Sequence, residues 1–238
     1  MLKVPNLPVS DADILYDDNH IIALNKRPSD IVQGDKTGDK PLSEKVKEYL
    51  KDKYNKPGNV FLGVVHRLDR PVSGVVIFAK TSKALTRINE LIRDREIRKK
   101  YWAVVSDKPK EESGRLVHYL IKNQQKNMSF AYNEEGKGRL RAELLYKYIA
   151  KSDKYHLLEI ELLTGRHHQI RVQLKAIGCT IKGDLKYGAP RSNKDASVHL
   201  HAKSLEFMHP VKKEKLFIEA DPPKDAVWDY FLKIQNKE

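Results

Sequence analysis

Three observations predict an α+β fold. Apolar runs of β type, bounded by Gly, Pro, Asn and Asp, recur along the whole chain. A few stretches carry apolar residues at helical spacing instead. The two kinds do not alternate strictly, as a parallel α/β sheet would require. No Pro/Gly/Ser-rich linker interrupts the 238 residues, so a single domain is expected. A domain of that size buries roughly 70–75% of its unfolded surface, enough for a core and a cleft.

The elements follow in order. Ile14–Tyr16 and His20–Asn25 read as a hairpin about the turn Asp17-Asp18-Asn19. Residues 28–40 are polar, with Gly34 and Gly38, and read as a loop. Pro41 then opens a helix over 42–54, its apolar face set by Leu42, Val46, Tyr49 and Leu50. Val60–Val65 and Gly74–Lys80 read as strands. Ser82 is the expected N-cap of a helix with Leu85, Ile88, Leu91 and Ile92 on one face. Strands are expected at 101–105, 115–121, 128–132, 140–149 and 155–163, then a helix at 168–177 with Ile170, Leu174 and Ile177 buried. Strands at 198–208 and 215–220 precede a terminal amphipathic helix over 224–234.

Composition excludes several classes. One cysteine, Cys179, rules out a disulfide scaffold and any Cys-based zinc or iron–sulfur site, and it suits a reducing cytoplasm. The start of the chain shows no secretory signal, and the densest apolar stretches, such as Val75-Val76-Ile77-Phe78-Ala79, are far short of the roughly 20 residues of a membrane span. No Walker loop, GxGxxG, HExxH or GxSxG string occurs. Lys and Arg outnumber Asp and Glu 45 to 32, a net +13 that favours a polyanionic partner, nucleic acid above all. A cytoplasmic protein without a membrane partner is expected.

Four places carry candidate chemistry. In His66–Gly74, Asp69 stands between Arg67 and Arg70, and a carboxylate kept ionised by cations is a usable nucleophile. Structural ion pairs outnumber catalytic ones, so spacing alone favours a structural turn. Thr164–Arg171 places Arg166, His168, Gln169 and Arg171 at a helix start, which reads equally as an anion cradle or a capped, solvated turn. Arg93, Arg95, Arg98, Lys99 and Lys100 lead into Tyr101-Trp102, a basic and aromatic pattern suited to single-stranded nucleic acid; alternation on a strand puts at least one ring in the core. His199 and His201 share a strand face, but two imidazoles without a third ligand do not make a metal site. The remaining charge, Glu44–Lys56 and Lys122–Lys126, reads as solvated surface.

Read as whole strings, these segments resemble the RluA-type family of RNA pseudouridine synthases. His66-Arg67-Leu68-Asp69-Arg70-Pro71-Val72-Ser73-Gly74 is similar to its HRLDxxTSG signature, Lys99-Lys100-Tyr101 to its KxY strand, and Thr164–Arg171 to its GRxHQIR segment. Ile14–Lys26, Gly183-Asp184 with Tyr187-Gly188, and 200–210 complete an ordered set from about 14 to 210. This overturns the structural reading of Asp69.

The resemblance implies a bent, mixed but largely antiparallel sheet flanked by helices around a central RNA-binding cleft. It implies isomerisation of uridine to its C5-glycoside in ribosomal or transfer RNA, with no cofactor and no metal. Asp69 is then the nucleophile, Tyr101 packs on the base and takes the C5 proton, and Arg171 pairs with the catalytic carboxylate. Arg67, Arg70, Arg166, His168, Gln169 and the 93–100 cluster become the expected RNA contacts.

Many relatives carry an N-terminal S4 domain, and about a dozen residues precede the first matched strand, so the catalytic domain is expected to supply the affinity, as a monomer. Two departures stand out: Val72 replaces Thr, and Asn25-Lys26-Arg27-Pro28-Ser29 replaces NKPxG. The competing reading is a non-catalytic RNA-binding or RNA-folding protein on the same fold.

Overall fold

The computed structural model describes residues 7–35 and 37–235, which form two compact units. The first runs to Ile97 and takes in Ala202–Asp221; the second holds Arg98–His201 and the chain from Pro222. The elements are α-helical and β-stranded in the mixture expected of an α+β protein.

In the first unit, β1 (Ile14–Asp17), β2 (Ile21–Lys26), β4 (Ser73–Ala79) and β10 (Leu200–Met208) lie in that order. The short β3 (Gly63–Val64) adds to β4, and β11 (Lys215–Glu219) to β10. The β1–β2 and β2–β4 pairings are antiparallel. Two helices cover the two faces of this sheet. Ile21, Ala23, Val75 and Ile77 face α2 (Ser82–Arg93) through Ala84 and Ile88. Ile22, Leu24, Val76 and Phe78 face α1 (Leu42–Lys53) through Leu42, Val46 and Leu50. Burial from both sides explains why β4 reads as an unbroken apolar run.

Local chemistry differs from expectation in four places. Thr81, not Ser82, caps α2, its Oγ1 accepting from Ala84 N at 3.1 Å. Pro41 is itself the cap residue of α1. Of Val60–Val65 only Gly63–Val64 pairs, and Phe61 faces solvent. Lys45, read as solvated, is buried on Asp30 at 2.5 Å.

Gly74 shows what the backbone of β4 demands. Its φ is +115°, and an added Cβ would sit 2.3 Å from the Ala202 carbonyl oxygen and 2.5 Å from its nitrogen. Gly74→Ala therefore combines a forbidden conformation with a backbone clash between β4 and β10. The expected cost is about 4 kcal/mol, a fall in thermal midpoint of roughly 8–16 °C by calorimetry.

In the second unit, β5 (Arg98–Val105), β9 (His156–Leu162), β8 (Leu140–Lys151), β6 (Ser113–Asn123) and β7 (Met128–Tyr132) follow in that order, every pairing antiparallel. The helix α3 (Gln169–Ala176) packs through Val172 with Leu120 and Ala142. The terminal helix α4 (Ala226–Gln235) packs Trp228 and Phe231 on Trp102, Val104 and Leu157. Tyr101 and Trp102 are both buried, which meets the expectation of at least one core ring and extends it to the second.

His199 and His201 serve this docking. His199 stacks on Trp228 at 5.0 Å, bonds Asn193 through Nδ1 at 2.8 Å and meets Asp225 through Nε2 at 2.9 Å. Asp225 in turn accepts from Val227 N at the start of α4. His201 meets the same indole edge-on.

Candidate active site

Asp69 lies in the loop between β3 and β4, half-buried. Three fixtures hold that loop. His66 Nε2 accepts the Ile77 N–H at 3.1 Å, just where β3 has left β4. Val72 N donates to the Asp69 carbonyl at 3.0 Å and closes a turn. The Arg70 carbonyl accepts from Ser29 N at 2.8 Å and from Lys26 Nζ at 3.2 Å.

Lys26, the last residue of β2, is fully buried. Its ammonium also donates to the carbonyls of Arg27 at 2.9 Å and Asp30 at 2.8 Å. Burial pulls its pKa down to about 7 against the opposing pull of the Asp30 and Asp69 carboxylates. One cation facing Asp69 therefore comes from the strand beneath the loop. Arg70, expected to flank Asp69 electrostatically, instead reaches Asp39 at 2.6 Å and Thr37 Oγ1 at 2.7 Å. Arg67 is exposed and has no carboxylate partner among the described residues.

Both departures from the family pattern are accommodated. Val72 is buried. Ser29, at the place of the family glycine, takes the left-handed conformation itself, with φ 75°. Arg27, at the place of the proline, pairs with Asp13 at 2.7 Å.

The second unit holds Tyr101 and Arg171. Arg171, on α3, is buried, and its Nε and Nη2 bond the two carboxylate oxygens of Asp184, each at 2.7 Å. A bidentate pair of this kind fixes the guanidinium in plane and in rotation. Tyr187 lies against the same guanidinium, 5.2 Å from its centre to the ring. The Tyr187 hydroxyl bonds His168 Nδ1 at 2.9 Å and accepts from Ser129 N at 2.8 Å. His168 has φ 53° and stacks on His167 at 3.8 Å.

Gln169 is buried and works within its own turn. Its Oε1 accepts from Thr164 Oγ1 at 2.8 Å and Arg166 N at 2.9 Å, and its Nε2 donates to the Glu143 carbonyl at 2.9 Å. Arg166 is exposed and donates through Nε to the Arg141 carbonyl at 3.2 Å. Much of the basic run before Tyr101 meets carboxylates: Arg93 with Asp94 at 2.9 Å, Arg98 with Glu161 and Lys100 with Glu159, both at 2.7 Å. Arg95 is the left-handed residue that ends α2, and burial lowers the pKa of Lys99.

Two contributors escaped the sequence reading. Asp184 is invisible as a partner of Arg171 because nothing in a 13-residue gap signals a pairing. Lys26 reads only as the end of the Ile14–Lys26 hairpin until β2 is seen to be covered on both faces. Among the described residues no group of three or more His, Cys, Asp or Glu is placed to hold a metal ion, and no helix is long and apolar enough to cross a membrane.

Comparison with known proteins agrees with these motifs. The family model for RNA pseudouridylate synthase matches residues 20–176. "Ribosomal large subunit pseudouridine synthase C" of Buchnera aphidicola is 34% identical over 92% of this chain and 69% of its own length. "tRNA pseudouridine synthase C" of Vibrio vulnificus is 31% identical over 91% of this chain and 92% of its own. Among solved structures, human RNA Pseudouridylate Synthase Domain Containing 4 aligns with TM-score 0.77 at 23% identity, covering 92% of each chain, a likeness of fold. With the family model spanning well over half of its length, and with relatives at this identity, the chain belongs to the RNA pseudouridylate synthase family.

Proposed function

We propose that this pseudouridine synthase isomerises one or a few specific uridines in ribosomal or transfer RNA, with Asp69 as the nucleophile. The observation that carries the reading is the anchored Asp69 loop, fixed through His66, Val72 and the buried Lys26 ammonium. A nucleophile on a rigid loop needs little reorganisation before it attacks. The target nucleotide leaves its stack to reach the carboxylate.

The Asp69 carboxylate attacks ribose C1′, or assists a glycal route, and the C1′–N1 bond breaks. The freed uracil turns and C5 bonds C1′ as the Asp69–C1′ bond breaks, or as the C2′ proton returns on the glycal route; the C5 proton then departs to Tyr101 while N1 gains a proton. Every atom of the uridine is retained, so the reaction calls for no co-substrate. Arg171, held flat by Asp184, orients the carboxylate of the reacting pair. Arg67, Arg95 and Lys99, which have no carboxylate partner among the described residues, meet phosphates first. Arg70, Arg93, Arg98 and Lys100 exchange a carboxylate for a phosphate as they bind. Arg166, His168 and Gln169 shape the neighbouring turn. The protein acts in the cytoplasm as a monomer, as one catalytic domain over 1–238.

Pseudouridine mapping of cellular RNA with and without the protein tests this reading, with Asp69→Ala as the rescue control. Sites lost on deletion and restored by wild type alone support it. No lost site in ribosomal or transfer RNA favours a protein that binds RNA without modifying it.

A further inference from the structure

The outward side of the β6–β7–β8 ribbon has a composition that a plain solvent-facing sheet does not need. Register sets which side chains share that side. Tyr132, Tyr119 and Arg141 stand in one row across β7, β6 and β8, and Phe130 opposite Ile121 forms the next. The reverse side, through Leu120 and Ala142, packs on α3. Phe130 and Tyr132 are 38% and 39% exposed, which leaves two large rings facing water. Exposed apolar patches of this kind mark interaction sites.

The charge around the rings is positive, and three of the cations are arginines, Arg115, Arg139 and Arg141. Residues 113–147 carry seven lysines and arginines against three glutamates. Glu143 is buried beneath the ribbon surface, bonded by both Arg115 and Arg141, whose side chains remain more than half exposed. One carboxylate thus sets the pose of two guanidiniums and leaves a net positive charge. The Arg139 guanidinium lies 3.6 Å from the Tyr132 ring centroid, and Arg166 joins from the neighbouring turn through the Arg141 carbonyl. Tyr119, Glu135, Gly136, Arg139 and Arg141 line an open groove of about 540 Å³, in which two guanidiniums outnumber one carboxylate.

We propose that this face is a second RNA contact, which takes an unpaired stretch of the substrate RNA. Its bases stack on Phe130 and Tyr132, and its phosphates meet Arg139, Arg141, Arg115 and Arg166. Exposed rings suit unstacked bases, whereas a duplex hides its bases from them. Planar guanidiniums match phosphate better than ammonium groups do. The proposal rests on the reading of the protein as an RNA-modifying enzyme and adds where RNA outside the reacting uridine is held.

The test is the triple variant Phe130→Ala/Tyr132→Ala/Arg139→Ala, which leaves the Glu143 pairs intact, with its thermal midpoint as a check on folding. Against a labelled 12-nucleotide oligouridylate it is expected to bind about tenfold or more weaker, since each stacked base contributes substantially. The slope of log K against log salt should shrink by about one, for one lost phosphate contact. Affinity for an RNA duplex should change less than about twofold, because the rings find no free base there. On unmodified ribosomal and transfer RNA transcripts, KM should rise while kcat stays within about twofold.

Should the triple variant unfold, Tyr132→Ala alone gives the weaker oligouridylate binding at smaller amplitude, with the salt slope unchanged because Arg139 remains. A folded variant with unchanged oligouridylate affinity and salt slope overturns the proposal. A wild-type protein that forms no pseudouridine in any transcript overturns the enzyme reading instead, and the binding arms still decide this surface.

Discussion

Asp69→Ala and Asp69→Asn are each expected to lower pseudouridine formation by at least about 10⁴-fold, because loss of a covalent nucleophile removes the reaction path and not merely its efficiency. The fold should survive. The loop is fixed by main-chain bonds at Val72 and Arg70 and by His66, none of which uses the Asp69 side chain. Lys26 loses one facing carboxylate but keeps Asp30 and three carbonyl acceptors. Release of tritium from C5-labelled uridine in RNA, measured at saturating enzyme, reads the chemistry, and filter binding reads affinity. Turnover within tenfold of wild type for Asp69→Ala would sink the nucleophile assignment.

The second large effect falls on Asp184. Removing one partner of a buried ion pair costs about 3–5 kcal/mol, far more than the pair contributes, because the remaining charge stays in a poor solvent. Arg171 and Asp184 are 4% and 1% exposed, so that rule applies in full. Asp184→Ala should lower the thermal midpoint by about 10 °C or more. It should also slow catalysis at saturating RNA, because the guanidinium loses the carboxylate that fixes its plane. The double variant Asp184→Ala/Arg171→Met separates the two roles. Taking out both charges should restore much of the stability while activity stays low, as measured by calorimetry beside single-turnover kinetics. If the double variant is no more stable than Asp184→Ala, the buried charge is not the source of the loss.

Element type was legible wherever one physical signal dominated. The run at 74–80, the alternation at 128–132 and the apolar row of 42–54 each correspond to an element within a residue or two. The motifs around Asp69 and Arg171 were legible as strings. Partnerships were not. Arg70 stands next to Asp69 in the chain yet reaches Asp39, because a turn at 70–71 points successive side chains apart. Tyr101 and Trp102 are both buried because coverage of the two strand faces is decided by distant chain, including α4 for Trp102. The 93–100 cluster promised free positive charge, but Glu159 and Glu161 stand across from it on β9. Cross-strand neighbours some 60 residues away leave no local trace.

The discontinuity of the first unit has a consequence for biosynthesis. β4 follows the Asp69 loop directly, yet its neighbour β10 is encoded more than 120 residues later. A nascent chain thus carries the Asp69 loop long before the strand beside β4 exists. The positive φ of Gly74, shaped for Ala202, awaits its counterpart throughout that interval. Only when the last residues of β10 and β11 clear the ribosome can this half of the molecule close. The Asp69 loop is made long before the strand that locks its neighbour β4.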